Sequence, residues 1–202
     1  TLPVFGGMVA VGLGLGVVFL GWALSFDLLA KDMEKRPRIR AVLAGQVYLF
    51  CELMGLLAAF LLWIVSAGGV FSGHARWLGM NATIQRWWTR ALFGSMVWIY
   101  GLNVEVEGLD DAEESPYLLF VRHSSMLDTV LAAALIANPH QIVFRYVLKQ
   151  ELLSDPCLDI VGCRLPNAFI DRKARDSGDE VEAIRGLTAD LTRGSGVLIY
   201  PE

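Results

Sequence analysis

The sequence holds little cysteine, and that little is poorly spaced for cross-linking. Cys51, Cys157 and Cys163 make an odd count in 202 residues, with no CxxC pair and with Cys51 inside an apolar run. Neither a disulfide framework nor a metal site is expected from them. Positive charge is not in excess either. The net charge is −4, and residues 72–202 carry 12 Lys and Arg against 17 Asp and Glu. Broad attraction to anionic lipid or nucleic acid is therefore not expected, and no nucleic-acid partner is inferred. There is no G-x-S-x-G elbow of the kind that carries a hydrolase serine. Also missing is a short apolar segment followed by a small-residue cleavage site, so a cleaved signal peptide fits poorly. Thr1 is not an initiating methionine, and the chain stops where a strand should pass into a loop, so it reads as a fragment lacking its C-terminal remainder.

Charge of either sign is absent from Leu2 to Phe26 and again from Leu53 to Phe71. Each run reaches the length, about 20 residues, that a helix needs to cross a hydrocarbon core. Residues 1–71 are thus expected to form two hydrophobic membrane helices joined by the basic loop 31–40. Gly12 and Gly16 form GxxxG, and Gly55 and Ala59 a similar small pair. Either these faces meet in a helical hairpin, or the small residues merely fill space. The loop 31–40 has five basic residues and Pro37, a helix breaker, and should stay cytoplasmic. Two full crossings would then put residues 72 onward on the far side. The alternatives are a re-entrant or half-buried second run carrying Glu52, or a loop that lies outside.

Residues 72–101 hold four of the six tryptophans, with Arg76, Arg86 and Arg90 and, over 76–100, no acidic residue. This composition predicts an amphipathic helix in the headgroup layer, the alternative being an ordinary buried one. Beyond it, apolar runs alternate with helical patterns. Strands are expected over 102–107, 116–121, 141–148, 165–170 and 196–200. Helices are expected over 125–137, 149–154 (stopped by Asp155-Pro156) and 179–193, the last with Val181, Ile184, Leu187 and Leu191 inward. The pattern predicts an α/β domain, a mixed sheet flanked by helices, over residues 102–202.

Between the strand 116–121 and the following helix lies Val121-Arg122-His123-Ser124-Ser125-Met126-Leu127-Asp128. His123 and Asp128 would lie about 140° apart on one helix, so they can meet only if the histidine sits in the preceding turn and the aspartate in the first helical turn. So placed, the carboxylate would hold the imidazole in one tautomer, making a general-base pair. The structural alternative is a capping box with Ser125 as N-cap and Asp128 three residues on.

His123 to Asp128 resembles the His-x4-Asp motif of the glycerolipid acyltransferases, which include the 1-acylglycerol-3-phosphate acyltransferases. Asn167-Ala168-Phe169-Ile170-Asp171-Arg172 is similar to that family's second block, Tyr200-Pro201-Glu202 to the opening of its third, and Lys149-Gln150-Glu151-Leu152 to its Lys-x-Glu-Leu element. The resemblance spans roughly residues 85–202. It implies a membrane-bound O-acyltransferase moving an acyl group from acyl-CoA or an acyl-carrier protein to the hydroxyl of a lysophospholipid, with membrane lipids as partners and no cofactor. In that reading His123 is the base and Asp128 its stabiliser, and no covalent enzyme intermediate forms. Arg172 grips the acceptor phosphate, and Glu202 belongs to the acceptor site. Lys149, Arg122 and Ser125 are further substrate-binding candidates. Arg122 stands where the family commonly has asparagine, so a cation there would depress the histidine pKa or bind phosphate. A solvated charged turn accounts better for Arg175, and a surface helix start accounts equally well for Lys149. The competing readings are a serine hydrolase or transacylase using Ser124 or Ser125, and a catalytically silent membrane scaffold of the same fold.

Overall fold

The computed structural model describes residues 2–29, 36–108, 116–122, 125, 127–171, 177–189 and 191–200. Four helices come first: α1 (Leu2–Gly14), α2 (Gly16–Leu29), α3 (Pro37–Val65) and α4 (His74–Tyr100). The first apolar run is broken at Leu15 into two helices rather than forming one. The second begins far earlier than its charge-free stretch, because Pro37 sits in the first turn of α3, where its missing N–H is no loss. Asp27, wholly buried, ties α2 to that end of α3: it accepts from Arg38 Nη1 at 3.0 Å and from the Ile39 N–H at 3.2 Å. Among the described residues α3 alone is long and apolar enough to cross a membrane.

The small-residue pairs do not meet each other. A Cβ on Gly12 would stand 2.8 Å from Leu49, and one on Gly16 2.6 Å from Gln46, so this pair packs on α3. Gly55 and Ala59 face the other way: a Cβ on Gly55 would lie 2.6 Å from Cys157 Sγ, and Ala59 packs with Ala82, Val161 and Leu165. α3 thus docks on α4 and on the domain beyond it. Along one face Tyr48 donates to Asp155, Glu52 Oε1 accepts from Trp88 Nε1 at 2.9 Å, and the Ala59 carbonyl accepts from Arg164 Nη1 at 3.1 Å. Arg164 also bonds Asn81 and lies 5.2 Å over the Trp77 ring. α4 closes at Gly101, whose left-handed φ of 63° needs no Cβ and lets its N–H reach the Val97 carbonyl.

The domain is a four-stranded sheet of β1 (Tyr117–Phe120), β2 (Val143–Lys149), β3 (Ala168–Ile170) and β4 (Ser195–Ile199) in the order β1-β4-β2-β3. Every described pairing is parallel, so the expected mixed sheet is corrected to a parallel one. Leu102 to Glu107 alternates in polarity but pairs with no strand among the described residues and is exposed, so the strand expected there is not formed among them. Between β1 and β2 run α5 (Asp128–Ala132), a π-turn (Ala133–Ala137) and α6 (Asn138–His140), near whose junction Pro139 has no N–H to offer the preceding turn. They cover one sheet face, where Ala132, Ala137, Phe144, Tyr146 and Leu198 form the core. A 3₁₀ turn (Gln150–Ser154) leads to α7 (Pro156–Ile160). Asp155-Pro156, expected only to stop a helix, also starts one: Asp155 accepts from the Leu158 N–H at 3.1 Å, and Pro156 fills the first turn.

α8 (Ser177–Ala189) reaches the other face, where Arg145 Nη1 donates to the Leu187 carbonyl at 2.8 Å. Leu187 is buried, but Val181 is exposed and Leu191 lies past the helix, against expectation.

Candidate active site

In a parallel sheet all strands end on the same edge, where the loops that follow them converge. β1 runs into Val121 and Arg122, β4 into Tyr200, β2 ends at Lys149, and β3 is followed by Asp171. The ladder is kept to that edge: Phe120 pairs with Ile199, Lys149 with Ile170, and the Val121 N–H donates to the Ile199 carbonyl at 3.0 Å. With strands about 4.8 Å apart, the outer two, β1 and β3, lie roughly 14 Å from each other at the backbone. The four segments singled out in the sequence therefore follow four neighbouring strand ends.

Asp128 opens α5, as required for a carboxylate pointing back into the preceding turn. Its oxygens are both engaged by Ser125: Oδ2 accepts from the Ser125 N–H at 2.6 Å and Oδ1 from the hydroxyl at 3.1 Å. The acid reaches back to the Ser125 N–H as in a capping box, but Ser125 is not the N-cap: α5 begins at Asp128 with Leu127 before it and no side-chain cap, and the serine hydroxyl donates to the carboxylate instead of accepting from a helical N–H. The first turn is held from two further sides. Leu127 and Val130 pack with Cys51 of α3 and Leu92 of α4, and the Tyr200 hydroxyl donates to the carbonyls of Thr129 at 3.1 Å and Asp128 at 3.4 Å. Burial, and after it the charge of Asp128, raises the Tyr200 pKa well above the ordinary phenol value, so the hydroxyl remains a donor.

Residues 103–202 match the family model for Acyltransferase. This part of the chain belongs to the acyltransferase family. No match was found among curated proteins or among solved structures.

Within the acyltransferase domain, His123, Arg172 and Glu202 lie outside the described residues, as do Ser124, Lys173 and Arg175. Arg122 is exposed directly before the turn, and Lys149 is exposed at the end of β2. Among the described residues no group of three His, Cys, Asp or Glu side chains is arranged to hold a metal ion.

Sequence reasoning passed over Tyr200 as a side chain, Asn167 and Arg164. Asn167 Oδ1 accepts from the Tyr146 N–H at 2.9 Å and its Nδ2 donates to the Gly162 carbonyl at 2.9 Å, extending the β2–β3 ladder by a side chain. A polar residue directly before an apolar strand was the one signal for it.

Proposed function

We propose that the protein is a membrane-bound O-acyltransferase that moves a fatty acyl group from acyl-CoA or an acyl-carrier protein to the hydroxyl of a lysophospholipid, 1-acylglycerol 3-phosphate being the acceptor that fits the motifs best. The observation that carries the reading is the coincidence of the family match with Asp128 at the head of α5, its carboxylate turned back to the Ser125 N–H, two residues after His123 in the sequence. His123 takes the acceptor hydroxyl proton as the oxygen attacks the thioester carbon, and Asp128 stabilises the imidazolium that results. The tetrahedral intermediate then expels the thiolate, which recovers the proton from the imidazolium. No acyl-enzyme forms.

Arg172, next after Asp171 at the end of β3, binds the acceptor phosphate in the bidentate manner open to a guanidinium. Lys149 and Arg122 add positive charge at the same edge, and Glu202 serves the acceptor site. Ser125 is assigned to the support of Asp128, to which its hydroxyl donates at 3.1 Å. Residues 1–71 attach the enzyme to the bilayer, with the acyltransferase domain on the cytoplasmic face and α4 in the headgroup layer.

The test is thiol release from acyl-CoA by membranes carrying the full-length protein, with a panel of lysophospholipids and glycerol 3-phosphate. The reading requires release that depends on an acceptor phosphomonoester, and Arg172→Ala should raise KM sharply or lower turnover. Release without an acceptor, or an acyl group trapped on Ser125, would replace direct transfer by hydrolysis or transacylation.

A further inference from the structure

We infer that Tyr200 is a positioning residue for acyl transfer: through its hydroxyl the strand β4 fixes the rotation of α5 about its axis, and with it the direction of the Asp128 carboxylate. The inference rests on the reaction proposed above and adds a residue to it.

α5 is too short to keep an orientation by itself. It has five residues before the helix widens into the π-turn, and so short a helix is marginal without outside support. The Ala133 N–H, which a regular α-helix would give to the Thr129 carbonyl, goes to the Val130 carbonyl. The Thr129 carbonyl accepts instead from the Tyr200 hydroxyl at 3.1 Å, and the Asp128 carbonyl lies 3.4 Å from the same hydroxyl. The remaining supports do not set a rotation. Leu127 and Val130 pack with Cys51 and Leu92, and apolar burial is non-directional. Ser125, three residues before Asp128, belongs to the same local turn and would swing with it.

The other end of the tyrosine is fixed. It follows β4 directly, and β4 is paired on both sides, by β1 and by β2. Val197 and Leu198 of that strand are wholly buried, the Val121 N–H donates to the Ile199 carbonyl at 3.0 Å, and Tyr200 itself packs against the core of Phe144, Tyr146 and Leu198. The ring is therefore a rigid spacer from the sheet to the first turn of α5. Without it, a rotation of about 20° would carry the Asp128 Cα by about 0.8 Å, at a Cα radius of about 2.3 Å, and the carboxylate further. A misplacement of about 1 Å costs on the order of a hundredfold in rate. Burial, and after it the charge of Asp128, raises the Tyr200 pKa, so the donor persists across the neutral range. Among the described residues, the other charged or titratable groups around this turn are Arg122 before it in the chain and Cys51 from α3, with Tyr146 of β2 beyond Tyr200; α4 contributes only apolar side chains there.

The test compares full-length wild type, Tyr200→Phe and His123→Ala in membranes, following thiol release from acyl-CoA with 1-acylglycerol 3-phosphate from about pH 5.5 to about pH 9. Phenylalanine keeps the ring and its packing and deletes the donor alone. The expected result for Tyr200→Phe is a kcat lowered about ten- to a hundredfold, with KM for both substrates within about twofold of wild type. The low-pH limb of its kcat profile should also move to lower pH, because an imidazole whose carboxylate is misaligned is a weaker base. An unchanged kcat, or a lowered kcat with the limb left in place, makes Tyr200 a purely structural residue; a raised KM with kcat intact puts it in substrate binding. Either result overturns the inference and leaves the reaction standing. Acceptor-independent release by wild type, or wild-type rates from His123→Ala, removes the reaction itself, and the inference falls with it.

Discussion

Replacing Arg164 by methionine tests whether α3, α4 and the acyltransferase domain form one cooperative body. Arg164 Nη1 gives hydrogen bonds to the Ala59 carbonyl at 3.1 Å and to Asn81 Oδ1 at 3.4 Å, and the guanidinium lies 5.2 Å from the Trp77 ring centroid. A hydrogen bond from a charged donor contributes about 1.5–3 kcal/mol, and the longer of these two less. The ring contact adds about 1 kcal/mol. Removing the donor also leaves Asn81 Oδ1, on a wholly buried residue, without that partner. Against these losses stands the relief of desolvation, since burial already lowers the Arg164 pKa, and methionine restores most of the apolar packing of the stem. The balance is a loss of about 3 kcal/mol, equivalent to a fall in Tm of roughly 6–12 °C for a chain of this size. Arg164→Lys should fall between, because an ammonium keeps the charge but not the planar fork. The assay is thermal unfolding of the purified full chain in detergent, with limited proteolysis between α3 and α4 as a local readout. A shift below about 1 kcal/mol, with unchanged proteolysis, would refute the claim that this arginine fastens α3 to the domain.

Three further outcomes follow from the same contacts. Phe144→Ala removes a ring that is 1% exposed at the centre of the sheet core and should cost about 3–5 kcal/mol, read as lost Tm or lost expression; a fall under 1 kcal/mol would contradict the packing. Tyr200→Phe deletes the donor to the Thr129 and Asp128 carbonyls, for an expected loss of about 1 kcal/mol and a lower kcat with KM nearly unchanged, whereas a change in KM alone would place Tyr200 in substrate binding instead. Burial raises the pKa of Cys157, Tyr146 and Tyr200 above their ordinary values, so all three stay protonated in the fold. The unfolded chain loses those protons first: stability from these groups is complete below the ordinary thiol pKa, about 8.5, and declines as pH rises beyond it. Tm measured between pH 7 and pH 10.5 should fall, and a flat or rising Tm would remove the linkage.

The parts of the fold that could be read from sequence are those set by local pattern. Val143–Lys149 and Ser195–Ile199 are short apolar runs bounded by turn residues, and His74–Tyr100 is a helix wherever it packs. Leu102 to Glu107 has the alternation of a strand and failed because a strand exists only where a partner accepts its ladder, which no local pattern encodes. The sheet was expected to be mixed for the same reason, since strand direction depends on crossovers and not on composition. Pro37 and Pro156 read in sequence as breakers, yet each occupies a first turn, where the absent N–H costs nothing. The helix expected from Ser125 begins three residues later, at Asp128. Its grip by Ser125 departs from the ordinary capping box because the serine hydroxyl donates to the carboxylate where a cap would accept from a helical N–H. The contacts of Tyr48 with Asp155 and of Ala59 with Arg164 join residues more than 100 positions apart, and no spacing rule reaches that far.

In the proposed mechanism acyl transfer runs through an imidazole base at position 123 steadied by Asp128. Its most direct test is the rate of phospholipid formation from acyl-CoA and 1-acylglycerol 3-phosphate by the full-length protein, His123→Ala beside wild type. Wild type should form the product and His123→Ala should lose at least about a hundredfold, as expected for removal of a general base. Product formed by His123→Ala at a rate near that of wild type would contradict it.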